Sequence, residues 1–290
     1  MSDRYQRIAL MAADYPLSLL CHVLEVSRSG YHAWRTRPAS AREQANERLL
    51  QAIGQLHQGP ERCYGSPRLT PELRALGFTC SENRVARLMQ RHGVCARRRK
   101  RFVPRTTDSA HDQPIAPNRL AERPAPTGPN QVWVTDLTYV PTAQGWLYLA
   151  LVMDRWSRRI VGWAMADHLR SELVVAALQM AVIQRRPPRG MLVHSDRGVQ
   201  FACAATRHFL ALHGLVSSMS RAGNPYDNAW MESAIGKIKA EVLDGTAPTD
   251  RATTHQQLFV GIECWYNQRR RHSALGYQSP FAFESQFMKN

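Results

Sequence analysis

The sequence predicts an all-helical N-terminal part with helix-turn-helix spacing, followed by an α/β part built on a mixed sheet. Three observations support that division. Apolar residues recur at helical spacing as far as Met89, a proline-rich segment follows Arg105, and beyond it short β-rich runs give way to alternating helices and strands.

From Pro16 to Arg37 the chain reads PLSLLCHVLEVSRSGYHAWRTR. Leu19, Leu20, Val23 and Leu24 share one helical face, and a Ser-Arg-Ser-Gly break precedes a second short stretch, which is helix-turn-helix spacing. A second helical block follows. Leu49, Leu50, Ile53 and Leu56 mark one helix and Pro67 to Leu76 the next, and the turn Gly77 to Cys80 leads to Ser81, a suitable N-cap for a helix carrying Val85, Leu88 and Met89.

The charge balance points to a polyanionic partner. Lysine and arginine number 38 against 23 acidic residues, a formal charge of +15. Nine basic residues and no acidic one fall between Arg84 and Arg105, including the unbroken run Arg97, Arg98, Arg99, Lys100 and Arg101, which is expected to contact DNA phosphates. The apolar stretches Ile8 to Ala13 and Leu147 to Met153 are too short for a signal sequence or a membrane span. Six cysteines without a C-x-x-C pair read as reduced thiols in a cytoplasmic protein, not as a zinc ribbon or disulfide framework. Thr106 to Pro129, with prolines at 114, 117, 124, 126 and 129, reads as a linker.

Val132 to Val140, Trp146 to Met153 and Ile160 to Ala166 predict three consecutive antiparallel strands. A helix over Leu173 to Ile183, a strand over Met191 to His194, a helix around Ala204 to His213 and a strand near Leu215 to Met219 complete a mixed sheet. Asp136 lies in the middle of the first strand, in a row with Val132, Val134, Thr138 and Val140, while Trp133, Leu137 and Tyr139 line the opposite face. A strand apolar on both faces is buried, so a charged aspartate there needs a partner. Asp196 closes the run MLVHSD, where chemistry gathers in open α/β sheets. His194 and Asp196 share a face with Ser195 opposite, which argues against a hydrolase triad. Glu232 sits in a helix from Asn224 to Leu243, about 100° away from the apolar stripe of Met231, Ile235, Ile238 and Val242. Three converging carboxylates repel unless cations lie between them, and such a site suits two divalent ions, magnesium or manganese in preference to zinc.

Asp196 and Glu232 are separated by a step of 232 − 196 = 36 in a chain with a basic helical N-terminus. The words VWVTDLTYVPT around Asp136, HSDRGVQF around Asp196, SRAGNPYDNAWMES leading to Glu232, and YNQRRRHSALGYQSP from Tyr266 to Pro280 accompany that spacing, with LCHVLEVSRSGYHAWR, YGSPRL and RVARLM before them. The chain thereby resembles the DDE transposases and retroviral integrases, and more narrowly the second reading frame product of bacterial insertion sequences of the IS-three family.

The resemblance implies an RNase-H-like catalytic core over residues 129–245, whose first strand, fourth strand and late helix present Asp136, Asp196 and Glu232 as metal-holding catalytic residues. It also implies 3′-end cleavage of an insertion sequence followed by attack of the freed 3′-hydroxyl on another phosphodiester. Around the core the reading places a helix-turn-helix-like segment at 1–37, a second helical DNA-binding module at 38–96, a basic linker at 97–128 and a helical extension at 246–290. The expected partners are element-end and target DNA, further copies of the chain in a synaptic complex, and an upstream-frame protein. The setting would be the bacterial cytoplasm, in association with the nucleoid and not with a membrane. Lys239 lies two turns after Glu232 on almost the same azimuth, since seven steps of about 100° return to within about 20°. Resemblance to integrases makes it a candidate phosphate contact; Lys237, about 140° around from Glu232, is not on that face. Two other classes stand beside this reading. One is a helix-turn-helix regulator with an inactive core, and the other an RNase-H-like nuclease that only hydrolyses.

Overall fold

The computed structural model describes residues 2–97, 111–222, 224–243 and 249–287. The first three helices, α1 (Ser2–Met11), α2 (Leu17–Val23) and α3 (Arg28–Thr36), enclose Ile8, Leu20, Cys21 and Tyr31. Ser27 caps α3 by accepting from the Gly30 amide at 3.0 Å. The buried face of α2 is Leu17, Leu20, Cys21 and Leu24, whereas Leu19 and Val23 are exposed. The apolar residues of this helix form two overlapping faces, and packing of α1 selects between them. The sequence reading had no α1 to make that choice.

The second block follows its predicted pattern. α4 (Ala41–Leu56) begins with a capping box between Ser40 and Glu43, and α5 (Ser66–Ala75) and α6 (Glu82–Arg91) follow, with Ser81 capping α6. Leu49, Ile53, Leu69, Leu73, Val85 and Met89 fill the space between them.

Strands β1 (Val132–Thr142), β2 (Gly145–Asp154) and β3 (Ile160–Ala166) form an antiparallel meander. β4 (Leu192–Ser195) and β5 (Val216–Met219) then add in parallel on the other side of β1, giving the order β3-β2-β1-β4-β5. Helix α7 (Ser171–Arg185) covers one face of the sheet, with the short α8 (Val199–Ala202) and α9 (Ala204–Leu212) beside it. α10 (Ala229–Val242), α11 (Arg251–Val260) and a π-helical segment, Gly261–Asn267, cover the other face. β1 is therefore buried on both sides, with Trp133 in one core and Val134 and Val140 in the other. Gly162 of β3 is needed for this packing. A Cβ there would meet the Ala177 carbonyl of α7.

One segment differs from its reading as a linker. Residues 111–131 contain no helix or strand, yet they strap the sheet face over β4 and β5. The amides of Arg119 and Leu120 donate to Ser218 Oγ at 3.0 and 3.2 Å, and Leu120 is buried against Val132 and Leu192. The C-terminal segment is equally embedded. Leu258, Ile262 and Tyr266 complete the core beneath β1 and β2, and Glu284 of α12 (Pro280–Phe287) accepts from Arg185 at 2.8 Å and Arg159 at 2.9 Å.

Three consecutive arginines dock the helical block on the sheet. Arg269 pairs with Glu61 at 3.0 Å, Arg271 with Glu72 of α5 at 2.7 Å, and between them Arg270 grips Glu241 of α10 with two bonds of 2.7 Å. The Arg270 and Glu241 side chains are 1% and 6% exposed. Removing one member of so buried a pair strands the other charge, so Arg270→Leu should lose about 3–5 kcal/mol in urea unfolding. Replacing both, Arg270→Leu with Glu241→Leu, should recover most of that loss. A single substitution as mild as the double one would show that the pair is dispensable.

Candidate active site

β1 and β4 place the first two carboxylates. In the parallel register Val134 faces His194, and two residues further along each strand come Asp136 and Asp196. They are thus on adjacent strand paths, which run about 4.8 Å apart. β4 ends at Ser195, so Asp196 is the first residue of the following turn, where its Oδ1 accepts from the Gly198 amide at 2.9 Å. Both aspartates line one groove together with Thr138, Gln200 and Phe201.

Asp136 is held at its root. Its Oδ1 accepts from the Leu137 amide at 2.8 Å, and the preceding Thr135 hydroxyl donates to the Leu151 carbonyl at 2.8 Å. Burial pushes the Asp136 carboxyl well above the usual carboxylate range, and Asp196 and Glu232 add to the shift by repulsion. The Leu137 amide and Lys239 act in the other direction.

Glu232 comes from α10, whose start is fixed by Asn228. That buried side chain donates to the Thr135 carbonyl, immediately before Asp136, at 3.3 Å. The helix begins at Ala229, later than the sequence reading had it, because Pro225–Asn228 forms a 3-10 turn first. Of its expected apolar stripe Met231, Ile235 and Ile238 are buried, joined by Ala234, Val242 is half-buried, and Glu232 is exposed beside it. Glu232 is not part of the groove wall, and among the described residues no three His, Cys, Asp or Glu side chains are close enough to hold one ion. The structure therefore brings Asp136 and Asp196 together and leaves Glu232 within electrostatic reach.

Lys239 lies over β1. Its Nζ donates to the Tyr139 carbonyl at 2.7 Å and sits 5.4 Å from that ring's centroid. Arg97 is described, with its amide donating to the Arg62 carbonyl at 3.0 Å, whereas Arg98, Arg99, Lys100 and Arg101 lie outside the described residues. Sequence reasoning missed Asn228 and Asp227. Asp227 ties Asn118 of the strap and Arg221 to the start of α10, at 2.9 Å each. Their signal was present in NPYDNAW, a Pro-Tyr-Asp-Asn turn ahead of a helix.

His194 takes no part in a triad. Its ring nitrogens contact Ser218 Oγ at 2.9 Å and Ser220 Oγ at 3.1 Å, and burial pushes its pKa down to about 4. Ser195 instead donates to the Asp196 carbonyl. Among the described residues no helix is long and apolar enough to cross a membrane.

Known proteins resemble the chain along most of its length. Residues 126–225 and 213–280 match integrase core domain families, and residues 44–102 match the HTH-like domain family. The chain is 43% identical over 268 residues to the uncharacterized 31 kDa protein of insertion element IS600 from Shigella sonnei, covering 92% of this chain and 98% of that one. It is 39% identical over 285 residues to the transposase InsF for insertion sequence IS3A from Escherichia coli K12, covering 97% and 98%. A simian T-cell lymphotropic virus intasome in complex with the PP2A regulatory subunit B56 gamma aligns at 15% identity with a TM-score of 0.47, covering 79% of this chain and 73% of that one.

The raised Asp136 pKa has a consequence for stability in the absence of metal. Between the ordinary carboxylate pKa and the raised folded value, the unfolded chain releases the Asp136 proton and the folded chain keeps it. Stability therefore falls as pH rises through that window. Asp136→Asn removes the loss, so its melting temperature in chelator at neutral pH should exceed the wild type's, by about 2–4 °C for each kcal/mol relieved. The advantage should shrink as pH drops below the ordinary carboxylate range. A variant melting at or below the wild-type temperature at neutral pH would contradict it.

Proposed function

Because the chain belongs to the IS3-family insertion-sequence transposases, which are DDE-type polynucleotidyl transferases acting on DNA, we propose that Asp136, Asp196 and Glu232 are its catalytic carboxylates. The observation that carries the assignment is the pair Asp136 and Asp196, on adjacent parallel strands and opening into one groove, with Asp136 destabilised as an anion. All donors are carboxylate oxygens, which fit hard divalent cations. Asp136 and Asp196 would hold them, and Glu232 would join from α10. Bound magnesium or manganese, two ions in this reading, would stabilise charge on the scissile phosphate as a Lewis acid.

The chain's own residues position the reaction. Asn228 fixes the first turn of α10 against β1, so Glu232 keeps its place relative to Asp136. Lys239, held at the Tyr139 carbonyl, lies on the same azimuth as Glu232 and near enough to Asp136 to oppose its pKa rise. We assign it to a phosphate next to the scissile bond. In the first step water attacks the phosphodiester at the 3′ end of the element, and the P–O3′ bond breaks, which frees the element's 3′-hydroxyl and leaves the phosphate on the 5′ end of the flanking strand. In the second, the freed 3′-hydroxyl attacks another phosphodiester and one strand is exchanged for another. The helical modules through residue 96 and the basic run Arg97, Arg98, Arg99, Lys100 and Arg101 would bind element ends and target. Further copies of the chain would complete a synaptic complex, and an upstream-frame protein would supply additional end recognition.

Asp136→Asn, Asp196→Asn and Glu232→Gln should each reduce metal-dependent cleavage and strand transfer on labelled end DNA to background, with DNA binding largely intact. Normal turnover by any one of them would remove that residue from the site. Strand transfer is the measurement that separates this function from a nuclease that only hydrolyses. Neutralising the basic run should flatten the dependence of log affinity on log salt without changing sequence preference.

A further inference from the structure

Several words of the family resemblance contain residues that the carboxylate groove does not use. Arg68 lies in YGSPRL, Trp230 in NAWMES, and Arg270 and His272 in YNQRRRHSAL. The fold brings them together on one side of α10. At about 100° per residue, Trp230 and Lys237 share an azimuth to within about 20°, on one flank of the buried stripe. Glu232 and Lys239 share another on the opposite flank.

The Trp230 flank is crowded with cations. The Arg155 and Arg158 guanidinium groups lie 4.3 and 5.8 Å from the Trp230 ring centroid. Arg68, Arg158 and Arg270 all act electrostatically on both Lys237 and His272. The acid beside them, Glu241, is already taken by Arg270. On this flank Arg68 Nε and Arg155 Nη1 are buried donors without a hydrogen-bond partner among the described residues, and the buried His272 Nε2 likewise has none. An unsatisfied buried donor is costly, and more so when it is charged. Burial and the neighbouring Arg270, Arg68 and Arg158 push the Lys237 amine down to about 8. The same surroundings push His272 down to about 2. A group that is anionic, compact and rich in acceptors would relieve the repulsion and satisfy the donors together, and a phosphate has that chemistry.

We propose that Arg68, Arg158, Lys237 and His272 form a phosphate site between the helical block and the sheet, distinct from the carboxylate groove, and that it seats a backbone phosphodiester of bound DNA. The DNA assignment rests on the reading of the chain as a transposase. In this arrangement α10 presents carboxylate chemistry on one flank and a DNA anchor on the other.

The test uses the full chain and a duplex oligonucleotide titrated across a salt series. Lys237→Gln and Arg68→Gln should each lower the slope of log affinity against log salt by about 0.9, the contribution of one phosphate. Lys237→Arg, which keeps the charge, should keep the slope. Unchanged slopes in both neutral variants would overturn the site. In a second arm, acylation of Lys237 is followed by mass spectrometry. Duplex DNA should protect it, and inorganic phosphate at equal ionic strength should protect it far less. Protection by inorganic phosphate without protection by DNA would overturn the DNA assignment, and protection by neither would overturn the site. Cleavage of end DNA is assayed in the same preparations. Intact cleavage with unchanged slopes refutes the phosphate site alone, whereas absence of metal-dependent cleavage by the wild type counts against the transposase chemistry and leaves the slopes to decide the site.

Discussion

The ion pair of Arg270 with Glu241 is the point on which the three parts of the chain meet. Glu241 belongs to the last turn of α10, and Arg270 follows the π-helical segment that packs under the sheet. Trp265, whose indole also donates to Glu241 at 3.0 Å, is part of the core of the helical block. Two charges withdrawn from water in this way are tolerable only in each other's company. The pair therefore fixes the C-terminal end of α10 in relation to both halves of the molecule. Asn228 fixes the other end on β1. Glu232 lies between these two anchors, so its position follows from constraints set at the helix ends.

Much of this architecture was legible because burial leaves periodic marks. β1 alternates between two cores, the helix from Ala229 carries its stripe where the spacing put it, and Ser81 caps α6 as its position before an apolar run implied. The two aspartates were visible as charges in or at the end of apolar strands. Their adjacency was not, because it depends on β4 joining β1 in parallel, a pairing no local pattern encodes.

What stayed hidden has a common physical origin in long-range partners. Arg269, Arg270 and Arg271 look in sequence like any other basic run, and nothing local reveals acids at Glu61, Glu241 and Glu72. The segment before β1 looked like a linker because proline removes helical and strand patterns. Its attachment instead runs through two amides to Ser218, a contact that needs no periodicity. The face of α2 was ambiguous for a related reason. The helix offers two apolar faces, and only the presence of α1 decides which is buried.

Both flanks of α10 are unfavourable on their own, and in opposite senses. On one, the half-buried Asp136 lies within electrostatic reach of Asp196 and Glu232, so like negative charges oppose one another. On the other, Lys237 faces Arg68, Arg158 and Arg270, with donors left unpaired nearby. Neither arrangement is what folding stability alone would select, since apolar residues in these places would avoid the repulsion. Each is relieved by a different species, a cation on the first flank and an anion on the second. DNA threaded past α10 with divalent ions brings both at once. The helix thus separates charges that would otherwise neutralise each other across the site, and its rigid span keeps the carboxylates available for metal while the arginines remain available for phosphate.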